Sequence, residues 1–264
     1  MINKGQGCLT AIFKGLIPIS TVKQGLETVF QKPSEPIEPT NYNYVTDGLI
    51  AWFTGEDGYI DGAWVDRISG YKFKPVSGST APVHDSVNKL YEATKLGGMI
   101  SDWQIPSDGP HTFEVVTRDI KNMGRASTNN YGVLVGGDMS GYSMVTDTIA
   151  IIKLANSGTD ANIINVTRLG NTEPIYKIDP ATLEDKSLDT FSYTRTALYH
   201  NAVKKDSMPT TTNKRYVGLF THKGTAASSY RGTGKIHAVR VYNRNLTAEE
   251  IAQNRAEDIR LYGN

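Results

Sequence analysis

From Val45 onward the chain is a succession of short apolar runs of four to eight residues. They read GLIAWF (Gly48–Phe53), YKFKPV (Tyr71–Val76), TFEVVTR (Thr112–Arg118), YGVLVGG (Tyr131–Gly137), TIAIIKL (Thr148–Leu154), NIINVTRL (Asn162–Leu169), TFSYTR (Thr190–Arg195), ALYHNAV (Ala197–Val203), RYVGLFT (Arg215–Thr221) and KIHAVRVY (Lys235–Tyr242). Gly, Asn, Asp and Ser punctuate them, the pattern of many short β-strands joined by turns. Helical periodicity enters only after Leu246. There Thr247 is an N-cap with Glu250 as its capping-box partner, and Leu246 and Ile251 stand at the positions of a hydrophobic staple. Ile251, Arg255, Ile259 and Tyr262 then lie near one face with Ala252 and Ala256 beside them, and Gly263 closes the helix. Strand and helix periods do not alternate, so the pattern predicts an all-β sandwich or jelly roll over residues 45–264 with one short C-terminal helix.

The first residues follow a different rule. Lys4-Gly5, Lys14-Gly15 and Gln24-Gly25 recur at a spacing of ten, each glycine followed four residues later by an apolar residue: Leu9, Ile19 and Val29. Glycine turns between short apolar segments predict a small β meander over residues 1–31. So few short strands bury too little to stand alone. Two readings follow: an edge hairpin packed on the main domain, or a docking and oligomerisation element whose apolar residues Leu9, Ile12, Phe13, Ile19, Val22, Val29 and Phe30 are covered by another subunit. In residues 32–44, Pro33, Pro36 and Pro39 at every third position favour an extended polyproline II spacer between the two units.

Composition narrows the partners. The 28 Lys and Arg balance 27 Asp and Glu and are scattered, which leaves no basic footprint for nucleic acid or an anionic membrane. Cys8 is the only cysteine, so no intrachain disulfide forms. The apolar stretch near the start is broken by Thr10, Lys14 and Gly15 and falls short of a secretory signal, and no run reaches the length of a membrane span.

Two stretches carry a family resemblance. GTGKIHAVRVYNRNLTAEEIAQN resembles the closing strand and short helix of laminin G-like, concanavalin A-like jelly rolls, through Gly234–Ile236, the Tyr242–Arg244 corner and Leu246–Ile251. The opening is similar too, with DGLIAWFTGED followed by a Trp-x-Asp turn and Ser-Gly step at Trp64, Asp66, Ser69 and Gly70. Leu198–Val203 stands where that family often has a Leu-Tyr-x-Asn-Gly hairpin, with Ala202 in place of the glycine. The short N-terminal meanders CLTAIFKG and LETVFQ resemble the leading segments of bacteriophage tail, baseplate and fibre proteins. That likeness implies a virion structural protein made in the bacterial host cytoplasm, bound to other virion proteins through residues 1–31 and present as a homo-oligomer.

The search for chemistry points away from catalysis. The Glu-x-Asp-x-x-Glu array of glucanases on the concanavalin A-like fold is missing, and the adjacent acids Glu56-Asp57, Glu184-Asp185, Glu249-Glu250 and Glu257-Asp258 are expected to be solvated. The five histidines lack metalloenzyme spacing, and no nucleophile elbow or phosphate loop is present. The resemblance implies calcium at the sandwich rim, for which Asp57, Asp61 and Asp66 are the candidate ligands, with ordinary turn aspartates as the alternative. For a glycan, the requirement is an aromatic face flanked by amides. Trp103 and Tyr131, with Asn129 and Asn130, meet it in polar, turn-rich settings, while Trp52 and Trp64 are expected in the core. The expectation is therefore a non-enzymatic virion protein that displays a jelly roll for host-surface glycan binding or particle decoration. A glycan-active enzyme and a ligand-free decoration protein are the alternatives.

Overall fold

The computed structural model describes residues 21–24, 27–31, 42–77, 80–93, 97–105, 109–125, 132–137, 139–140, 143–144, 151–154, 163–167, 176–207, 216–222 and 231–263. The chain forms two compact units, Met1–Asn41 and Tyr42–Asn264. In the first, β1 (Thr21–Gln24) and β2 (Glu27–Gln31) pair antiparallel with Val22 opposite Phe30. Val29 also lies on β2, whereas Leu9, Ile12, Phe13 and Ile19 fall outside the described residues.

In the second unit the strands are, in chain order, β3 (Leu49–Thr54), β4 (Trp64–Val65), β5 (Lys72–Pro75), β6 (Val83–Asp85), β7 (Leu90–Ala93), β8 (Met99–Ser101), β9 (Thr112–Arg118), β10 (Gly124–Arg125), β11 (Gly132–Gly136), β12 (Met139–Ser140), β13 (Ser143–Met144), β14 (Ile151–Leu154), β15 (Ile164–Thr167), β16 (Tyr176–Ile178), β17 (Leu188–Thr194), β18 (Ala197–His200), β19 (Val203–Ser207), β20 (Gly218–Leu219) and β21 (Gly232–Tyr242). Helix α1 (Ala248–Tyr262) follows. Among the described residues, one sheet has nine strands with the path β19-β18-β17-β9-β21-β7-β6, β3 and β10 also pairing with β21. The other has eight strands in the order β16-β15-β14-β11-β20-β8-β5-β4. β21, eleven residues long, is the spine of the first sheet. It pairs with β9 along one side, and with β7 and then β3 along the other.

Alternation along the strands makes this a sandwich. Phe53, Phe113, Val115, Phe191, Val239 and Val241 of the nine-stranded sheet meet Trp64, Phe73, Leu134, Ile152, Ile164 and Leu219 of the other in one buried core. Phe53 lies 5.5 Å from Trp64 and 4.6 Å from Phe73, ring centre to ring centre.

The outer face of the nine-stranded sheet is also buried, because α1 and the lead-in Tyr42–Val45 cover it. The corner before the helix explains how. Asn243 N–H donates to Gly48 C=O, and the Arg244 guanidinium forks onto Glu250 at 2.6 and 2.8 Å while also pairing with Asp47. Gly48 has φ +75°, and a Cβ there would lie 2.9 Å from Arg244 Cγ. The Thr247–Glu250 capping box forms as the sequence predicts, and Leu246 and Ile251 pack together with Val45 and Tyr242. Gly263 N–H closes the helix on Ile259 C=O, with right-handed rather than left-handed backbone.

Three expectations change here. The buried face of α1 is Ile251, Asn254, Glu257, Asp258 and Tyr262, whereas Ala252 and Ala256 are exposed and Ile259 is 52% exposed. Glu257 and Asp258 are therefore buried, not solvated. The cause lies beneath them: Arg240 on β21, opposite Glu114 on β9, is fully buried and donates to Glu114 at 2.9 Å and to both oxygens of Asp258 at 2.7 and 2.9 Å. Ser192 and Asn254 complete Glu114, and Tyr44 and Thr190 complete Asp258. A charged centre under the helix selects polar partners, and apolar clusters flank it at both ends. Finally, Tyr42–Tyr44, read in the sequence as spacer, pack into the second unit. Tyr44 stacks over Arg240 at 4.2 Å, and Tyr42 packs edge-on against Trp52.

Candidate functional site

The structure separates the residues that the sequence put forward. Trp103 is buried, stacked between Phe53 at 6.1 Å and Tyr71 at 5.0 Å with Phe73 against it edge-on. No indole face is left for a pyranose, so this candidate is corrected to a core residue, as Trp52 and Trp64 were expected to be. Tyr131, Asn129 and Asn130 lie outside the described residues.

The three candidate calcium ligands do not converge. Asp66 is buried and accepts from the backbone N–H groups of Trp52, Ile68, Ser69 and Tyr71. Burial pushes its carboxyl above the ordinary range against those four donors. The Trp-x-Asp motif is thus a turn anchor, continued by Ser69 Oγ–H donating to Ile50 C=O and by Gly70 at φ +75°. Asp57 takes a two-pronged contact from Arg67 at 2.7 and 2.9 Å, and Asp61 is exposed in a tight turn. Among the described residues no group of three or more His, Cys, Asp or Glu is placed to hold a metal ion.

What the fold does build is a cleft of about 630 Å³ where the outer face of the nine-stranded sheet runs out beside the C-terminal end of α1. Its walls come from the β6–β7 turn, the end of β9, the turn at Lys186, β21 and Tyr262. Four cations line it, Lys89, Arg118, Lys186 and Lys235, with the acids Asp85, Glu92 and Asp119. None of these was picked out in the sequence. Two of the acids are already used: Asp85 caps Val87 N–H and Asn88, and Asp119 accepts from Asn122 and Lys186 N–H.

Beneath the floor Arg118 is fixed. It donates to His237 Nε2 at 3.0 Å, to the Lys186 carbonyl and to the Tyr262 carbonyl at the helix end. His237 is buried, and its Nδ1 faces Lys89 C=O at 2.8 Å. With Nδ1 donating and Nε2 accepting, this ring is the neutral tautomer, and burial pulls its pKa down to about 4. Tyr262 turns its hydroxyl inward to Thr54 Oγ1 at 3.1 Å, and burial pushes that phenol well above its usual range, the opposite of an activated nucleophile.

Elsewhere Ser187, Asp189 and His200 meet, in an order unsuited to acyl transfer. Ser187 Oγ–H donates to Asp189 at 2.7 Å, and His200 Nε2 bonds the same carboxylate at 2.9 Å, so no serine–imidazole bond exists. The buried Glu114 and Asp258 are closed off by Arg240 and offer nothing to a substrate.

No protein-family profile matches this chain, and no curated protein sequence matches it. Solved structures do share the fold. Trypanosoma rangeli sialidase in complex with sialic acid aligns at a TM-score of 0.55 and 14% identity, over 92% of this chain and 36% of the sialidase. The receptor binding domain of botulinum neurotoxin D aligns at 0.51 and 10% identity, over 81% of this chain and 53% of the other. The serotype D ligand binding domain in complex with N-acetylneuraminic acid aligns at 0.50 and 11% identity, over 83% and 52%. This chain thus spans about a third of the sialidases and about half of the neurotoxin domains.

Proposed function

We propose that this chain is a non-catalytic glycan-binding protein of a bacteriophage particle. Its laminin G-like sandwich faces the host surface, and residues 1–31 dock it to other virion proteins and to further copies of itself. The observation that carries the binding role is the polar cleft at the end of the nine-stranded sheet, the kind of concave site with convergent charged groups that small ligands use. Similarity of fold to sialic acid complexes supports a sugar as the occupant. The inward-turned Tyr262 hydroxyl and the charge-paired Glu114 and Asp258 favour binding over hydrolysis. The virion role rests on the N-terminal likeness, the proline spacer and the division into two units. Single sugar contacts are weak, and repeated copies on a particle supply avidity through effective concentration.

The test is a glycan array probed with the full chain, together with sedimentation of the full chain and of residues 42–264. Retention of a defined glycan class, with an oligomer only for the full chain, is the expected result. An array with no retained glycan refutes the binding role, and reducing ends released from the bound glycan refute the non-catalytic one.

A further inference from the structure

We infer that the cleft is built for an anion, and that its occupant is the carboxylate of an acidic sugar, held by Lys186 and Lys235. This rests on the glycan-binding reading above and names the chemistry of its ligand.

The first observation is a pairing that folding alone does not favour. Lys235 on β21 stands directly opposite Arg118 on β9, and like charges at facing positions of an antiparallel pair destabilise it. On its other side Lys235 faces Glu92, but the ammonium lies 3.9 Å from that carboxylate and 3.8 Å from Asp119, the outer limit of an ion pair. Glu92 is half exposed, so its compensation is weak, and Asp119, though mostly buried, is shared with Asn122 and the Lys186 N–H.

The second observation is independent of charge. Seven non-glycine residues among those described have positive φ, and three of them, Lys89 at 54°, Asp119 at 59° and Lys186 at 59°, line this one cleft. A lysine in left-handed backbone costs about 1 kcal/mol or more where Gly or Asn would be at ease. Asp119 Oδ1 holds the strained segment by accepting from Lys186 N–H, which fixes the Lys186 backbone at the cleft wall. Strain and like-charge opposition converge where the walls come together, and an anionic ligand relieves the second while using the first.

The class of anion follows from the shape and the remaining polar groups. The cleft is far larger than a simple ion requires, and Glu92 lines it together with the Asn88–Asp85 pair, whose oxygens keep acceptor positions for hydroxyls. A bare phosphate would leave those groups facing water. A sugar acid matches them, with its carboxylate on the two ammonium groups and its hydroxyls on the acids and amide.

The experiment titrates the full chain by ligand-observed NMR with N-acetylneuraminic acid, its methyl ester, lactose and inorganic phosphate, then repeats the titration with Lys186→Gln and Lys235→Gln. Both side chains are at the surface, and circular dichroism checks that the variants fold. The acid should bind at least tenfold more tightly than its ester, and each variant should lose about tenfold for the acid with little change for the ester. Equal binding of acid and ester overturns the carboxylate assignment while leaving a glycan site. Phosphate binding more tightly than the acid overturns the sugar. Acid binding untouched by both variants moves the site elsewhere. Absence of binding by every sugar here, with a silent glycan array, refutes the parent reading instead.

Discussion

Replacing Arg240 by methionine removes the cation at the centre of the helix–sheet interface and leaves Glu114 and Asp258, both fully buried, without their ion-pair partner, Arg255 reaching Asp258 only through the Thr190 hydroxyl. Breaking a buried pair in this way costs about 3–5 kcal/mol, because the remaining charge keeps its desolvation penalty. Here the lower end applies. Glu114 still accepts from Ser192 Oγ–H and the Asn254 amide, and Asp258 from the Tyr44 and Thr190 hydroxyls, so each carboxylate retains two neutral donors. The expected loss is therefore about 3 kcal/mol at pH 7, read by urea denaturation followed by circular dichroism. Adding Glu114→Gln and Asp258→Asn to Arg240→Met should recover much of the loss, since no charge is then stranded. A loss below about 1 kcal/mol at pH 7, or a triple variant no more stable than the single one, would refute the reasoning.

Two other predictions concern single residues. His237 has a folded pKa of about 4 against 6.5 when free, so its contribution is complete above pH 6.5 and is lost as pH falls towards 4, by about 3 kcal/mol in total; stability curves that run parallel for the parent and His237→Gln across that window exclude it. At the β18–β19 hairpin, Asn201 and Ala202 both have positive φ, 52° and 63°. Ala202→Gly should raise stability by about 0.5–1 kcal/mol, which differential scanning calorimetry would register as a melting point about 2 °C higher, and a lower melting point would contradict the strain argument.

The features that could be read in the sequence were those determined by neighbours in the chain. Strand runs, the capping box and the staple depend on spacing alone, and each is where the pattern put it. The hairpin at Asn201–Ala202 shows the same economy: the turn forms although the expected glycine is absent, because Asn201 amide bonds to Asp189 and Thr190 hold it. The misread residues depended on distant segments. Trp103 sits among polar neighbours in sequence, but its stacking partners come from β3 and from Tyr71 beside β5. The alanines of α1 suggested the wrong face, since nothing local reveals that the sheet below carries Arg240 and Glu114. Lys89, Lys186 and Lys235 look like ordinary surface lysines in the sequence. Left-handed backbone and a facing arginine, which only the fold supplies, set them apart.

The contrast between two cations on one strand separates folding from recognition. Arg240 and Lys235 both lie on β21 and both face β9, yet at position 240 the residue opposite is Glu114, and at position 235 it is Arg118. The first cation is sealed from water and satisfied by two carboxylates, as a structural charge must be. The second stands at a cleft with carboxylates only at 3.8 and 3.9 Å, and the nearest arginine is anchored on His237 and the helix end, unable to turn away. The carboxylate that faces it is Glu92 on β7, half exposed, rather than a buried acid on β9. Lys235 is thus held only by long ion pairs at a cleft that Lys186 also lines, and the proposed carboxylate site rests on that arrangement.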